Sequence, residues 1–126
     1  MDATLHLLST RPEIAGGARV STEDIACWAG PLDKDVTAFL DRLGGEIAKS
    51  YQSGDLSYEF CDLLVNDLFG ILFDRQFLDP QGSWPHLFYE VYEAFDAGEF
   101  HRKADHSDDP VAEFTNPAVA NIVAKL

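Results

Sequence analysis

Three groups of side chains in this 126-residue chain have types and spacings that could do chemistry. His86, Glu90 and Glu93 stand at i, i+4 and i+7, so one helix face would carry three metal-ligand types. Di-iron bundles use Glu-x-x-His pairs on two helices, and no Glu-x-x-His occurs here, so no metal site is expected. His101, Asp105, His106, Asp108 and Asp109 crowd one stretch. That stretch lacks the sharp-turn glycine and closing glutamate of a calcium loop, and weak adventitious cation binding is the most it suggests. Glu59, Asp62 and Asn66 fall on adjacent turns of one helix side, a stripe that Phe69 and Phe73 continue. Asp62 should then be partly buried and in need of donors such as Asn66, Arg42 or a tyrosine hydroxyl, or its pKa rises. The expectation is a buried polar network of Glu59, Asp62 and Asn66. The alternative is a small-molecule-binding or catalytic pocket around Asp62 and Asn66.

Nucleophilic chemistry finds little support. Cys27 and Cys61 lie far apart, each within an apolar helical pattern, and read as buried thiols rather than as a disulfide framework or zinc cluster. An activated thiolate wants an electropositive setting, which this acidic chain offers nowhere obvious. No GxSxG, P-loop, GxGxxG or HExxH is present. The chain therefore reads as a non-enzyme with no catalytic residues, cofactor or metal.

The charge is more informative. Net charge is −13 and the isoelectric point near 4.4, which repels phosphate backbones and anionic lipid and favours basic partners. Direct nucleic-acid binding and membrane association are not expected. Residues 55–113 hold 14 acids against three bases, so most of the excess sits in the middle of the sequence. Projection of residues 86–100 places Tyr89, Glu93, Asp96 and Phe100 on one stripe, with His86 and Glu90 beside them, opposite the apolar face. Aromatics rimmed by carboxylates suit a docking surface, because rings supply desolvated contact while charges steer association. Tyr89, Glu90, Glu93, Asp96 and Phe100 are the candidate partner-binding residues. The bland alternative is a solvated face with Phe100 folded back on the core.

These side chains need helices to position them. Hydrophobic residues make up 46% of the chain and aromatics 12%, enough for one self-supporting core at this length. Residues 1–20, punctuated by Pro12 and Gly16-Gly17, read as an irregular arm in which a strand at 4–8 is conceivable. Ser21 caps a short helix ended by Gly30-Pro31, and Asp33 opens a longer one over Val36, Phe39, Leu40, Leu43, Ile47 and Tyr51 that Gly54 stops. Gly44-Gly45 is its weak point, a kink or a place for a close neighbour. A helix from Ser57 to about Phe77 is apolar around most of its circumference and so belongs in the centre. Ser83-Trp84-Pro85 opens a third long helix, residues 101–110 read as a mobile acidic loop, and Asn116-Pro117 opens the last helix. The fold class is all-α: one domain over residues 1–126, a compact bundle of four to five helices with an irregular N-terminal arm. The start lacks a basic, apolar leader and no stretch could span a membrane, so a cytoplasmic location is expected.

The run SYQSGDLSYEFCDLLVNDLFG at residues 50–70, followed by FYEVYEAFDAGEF at residues 88–100, resembles the small acidic helical immunity proteins of bacterial polymorphic-toxin and bacteriocin systems. It departs from the colicin DNase immunity proteins, which are shorter and carry a signature segment absent here. The resemblance implies a stoichiometric inhibitor that masks a basic nuclease toxin, with acidic side chains turned toward the toxin's nucleic-acid cleft. Residues and resemblance together predict a non-enzymatic acidic binding protein with a basic protein partner; the alternatives are the small-molecule-binding or catalytic domain around Asp62 and Asn66, and a structural subunit of a larger assembly whose acidity only maintains solubility.

Overall fold

A computed structural model of the chain describes residues 3–10, 36–73 and 84–126. The expected helix after Ser21, Cys27 and the turn at residues 79–82 lie outside the described residues. Within them the fold is all-α, a compact bundle without strands. Its helices are α1 (Ala3–Thr10), α2 (Val36–Gln52), α3 (Tyr58–Phe73), α4 (His86–Asp96) and α5 (Asn116–Ala124). A 3-10 turn, Ala97–Glu99, follows α4, and a wide π-helical turn, Val111–Thr115, leads into α5.

α2 begins and ends close to the expected positions. At its C-terminus Gly54 takes φ +86°, the Asp55 N–H donates to Ser50 O at 2.9 Å and the Gly54 N–H to Tyr51 O at 3.1 Å. This pair of bonds is a Schellman stop, in which a glycine adopts the left-handed backbone that satisfies the last carbonyls. Three residues later Ser57 Oγ accepts the Phe60 N–H at 3.1 Å and opens α3.

The apolar faces meet in one core. Leu43 and Ile47 of α2, Cys61, Leu64, Val65 and Leu68 of α3, Phe88, Val91 and Phe95 of α4, and Val119 of α5 are all essentially inaccessible to solvent. The centre is occupied by α2 packed on α4, with α3 leaning on α4 and α5 lying across both. The expectation that the 57–77 helix is central therefore needs correction: Asn66 and Gly70 of α3 are exposed, and Phe60 and Phe69 are only half-buried. The α2–α4 approach depends on Gly44, where a Cβ would stand 3.0 Å from Phe88 Cα. Of the two readings of Gly44-Gly45, the structure shows the close neighbour. Asp41 then uses that closeness: its Oδ1 accepts the Phe88 N–H at 3.0 Å, so a side chain of α2 caps the first turn of α4, whose own N-cap, Pro85, has no side-chain acceptor.

Two segments differ from expectation. Ala3–Thr10 is helical rather than irregular or extended, because Leu5 and Leu8, three apart, both reach full burial on one helix face. The last helical segment starts at Asp109-Pro110 rather than at Asn116-Pro117: Asp109 Oδ1 accepts the Ala112 N–H at 3.2 Å and Asp109 O accepts the Glu113 N–H at 2.9 Å. Pro117 then sits inside the helix without an N–H to donate, and the backbone widens ahead of it, with the Asn116 N–H donating back to Val111 O.

Candidate functional site

α4 carries four of the five residues expected to bind a partner, Tyr89, Glu90, Glu93 and Asp96, with Phe100 just beyond the 3-10 turn, and the helix's two edges give them different company. On the α3 side, Tyr92 stacks on Phe69 with ring centroids 4.0 Å apart, and Tyr89 stacks beside both at about 6 Å. Trp84 closes the row edge-on to Tyr89 at 5.5 Å. Tyr89 is thus a half-buried member of an aromatic row joining α3 to α4, not a ring standing free in solvent.

The same edge ends in carboxylates. Asn66 Nδ2 donates to Asp62 O at 2.7 Å, to Asp62 Oδ1 at 3.3 Å and to Glu99 Oε2 at 3.3 Å, so one amide bridges two acids from different elements. Burial pushes the Asp62 carboxyl up to about 7, helped by its hydrogen bond to Glu99 and by the charges of Glu99 and Asp96, while Asn66 works in the opposite direction. Asp96 is raised by burial and by Glu99. Burial, followed by these acids, also raises the Tyr58 and Tyr92 hydroxyls, and Tyr58 donates its proton to Phe95 O at 2.7 Å. Of the expected network, Asp62 and Asn66 come together, whereas Glu59 is exposed and hydrogen-bonds to neither. Glu99 and Asp96 take its place. No lysine or arginine among the described residues forms an ion pair with Asp62, Asp96 or Glu99.

On the α5 side, Glu90 pairs with Lys125 at 2.8 Å and Glu93 is exposed. Between the helices lies an open groove of about 430 Å³ whose lining includes the small side chains of Ala94, Ala97 and Ala118. Phe100, beyond the 3-10 turn, is 55% exposed. A second cleft, about 480 Å³, lies between the α2–α3 turn and α5, where Tyr51 donates to Asn116 Oδ1 at 2.6 Å. Neither cleft reaches Asp62.

Residues 101–110 are organised around a single carboxylate that sequence reading did not single out. Asp108 is buried; its Oδ2 accepts the Arg102 N–H at 2.7 Å, and its Oδ1 lies 3.1 Å from His101 Nδ1. These bonds, that from the Arg102 backbone foremost, hold its carboxyl down at about 2. His101 and His106 stack with ring centroids 4.3 Å apart, and His106 adopts φ +57°. An Asp just ahead of the Asp109-Pro110 cap is the only signal for this arrangement in the sequence.

Around α4 the described surface offers negative charge and aromatic area. No group of three or more His, Cys, Asp or Glu among the described residues could hold a metal ion. Burial pushes the Cys61 thiol up to about 12, which leaves it protonated and inert at neutral pH. No helix of the described residues is long and apolar enough to cross a membrane. No family model, curated protein or solved structure matches the chain.

Proposed function

We propose that this is a non-enzymatic acidic binding protein that docks a basic protein partner along α4 and the turn that follows it. One observation carries the reading: Asp62 of α3, Asp96 of α4 and Glu99 of the 3-10 turn converge without a compensating lysine or arginine among the described residues. Like charges brought together cost stability, and a cation delivered by a partner relieves that cost. Glu93, exposed on the α5 edge of the same helix, and Phe100, exposed beyond the 3-10 turn, add to the acidic and aromatic surface around α4, and the overall charge of −13 steers basic proteins toward it. An inhibitor that masks the nucleic-acid cleft of a nuclease toxin, as the resemblance to immunity proteins implies, is the specific form of this reading. The alternative is catalysis with Asp62 as a general acid, favoured by its elevated pKa; Asp62 lines neither of the two clefts.

A photo-crosslinking amino acid placed at Phe100 and activated in the native host identifies what docks there. The expected product is a protein with a basic face whose affinity falls steeply with salt. Capture of acidic or neutral partners only, or affinity indifferent to salt, overturns the reading.

A further inference from the structure

We propose that the groove between α4 and α5 is a seat for an amphipathic basic helix of the partner. This rests on the reading above and specifies the partner's shape. Ala94, Ala97 and Ala118 line the groove, and where side chains are this small a third helix can approach at the short end of the usual 8–10 Å interaxial distance. One wall is Phe114, which remains 40% exposed although the Arg102 guanidinium lies 3.8 Å above its ring. Arg102 is fixed in turn, since its Nη1 donates to Ala97 O and Phe100 O. The part of the Phe114 ring left exposed beside Arg102, together with the alanines, offers apolar contact for aliphatic side chains at i and i+3 or i+4 of an incoming helix.

Charge selects the occupant. Glu93 rims the groove, exposed and without an ion-pair partner. Glu90 is engaged only by Lys125, in an exposed pair that contributes little and that a partner's cation can replace. A lysine or arginine flanking the aliphatic face therefore meets Glu93, whereas a second copy of this chain would bring more negative charge against a protein already at −13.

The probe is a synthetic 18-residue helical peptide with leucines on one face flanked by lysines, titrated into the 15N-labelled full chain at low salt. Chemical-shift changes are expected at Glu93, Ala97, Phe114, Ala118 and Asn121. Glu93→Lys and Asn121→Lys, both surface substitutions, should each weaken binding roughly tenfold, and a peptide with glutamates in place of lysines should not bind. Shifts confined to Asp62, Asp96 and Glu99 would overturn the groove while leaving the acidic-partner reading intact. No binding at millimolar peptide, or self-association of the chain through α4 and α5, would also overturn it. The crosslinking experiment at Phe100 decides the broader reading separately.

Discussion

Asp62 and Asp108 are carboxyls of the same kind whose surroundings drive their titration in opposite directions. Asp62 has lost water and gained acidic neighbours, so its folded-state pKa of about 7 stands above the ordinary value of about 3.9. The folded state then binds the proton more tightly than the unfolded state, and the stabilisation this supplies is full below about pH 4 and lost as pH rises through 7. Asp108, held by backbone N–H groups and His101, is depressed to about 2; its contribution is present above about pH 4 and lost as pH falls toward 2. Thermal melts across pH 2–9 check both. Asp62→Asn should melt above the wild type at pH 8, with the advantage shrinking toward pH 4, whereas Asp108→Asn should melt below it at pH 7, with the deficit shrinking toward pH 2. The half-burial of Asp62 was legible in the sequence because the apolar stripe of Phe69 passes beside it. Its partner Glu99 was not, since Glu99 lies 33 positions beyond Asn66 and only tertiary packing brings them together.

At the scale of elements, two glycines in long helices do different work. Gly44 faces the backbone of Phe88, so Gly44→Val forces α2 away from α4 and should cost about 1–3 kcal/mol as overpacking. Gly70 has nothing within 4 Å of where a Cβ would lie, so Gly70→Ala should stabilise by about 0.5–1 kcal/mol through helix propensity alone. Urea unfolding of both variants measures these changes, and equal signs would contradict the packing described. Periodicity revealed α2, α3 and α4 because each has an apolar face repeating every three or four residues. It misjudged which one is central, because composition around a helix does not say how much of it the neighbours cover. It also chose Asn116-Pro117 as a helix start when Asp109-Pro110 offers the same capping chemistry seven positions earlier. Asn116 is occupied elsewhere, accepting from Tyr51.

For the whole molecule, the proposed function is recruitment of a basic protein by an acidic surface built on α4. A net charge of −13 concentrated in residues 55–113 accelerates encounter with a positive surface, and ions screen that acceleration over about 10 Å at 0.1 M salt. Tyr89 is packed in the aromatic row that joins α3 to α4, whereas Glu93 is exposed, and under the proposed function it is Glu93 that faces the partner. The most direct measurement is stopped-flow association of the protein captured at Phe100 with wild type and with Glu93→Lys, at 50 and 500 mM salt. The expected result is an association rate that falls roughly tenfold or more over that range for wild type, a lower rate for Glu93→Lys at 50 mM, convergence of the two at 500 mM, and unchanged melting temperatures. Association equally fast at both salt concentrations, or unaffected by the charge reversal at Glu93, would contradict it.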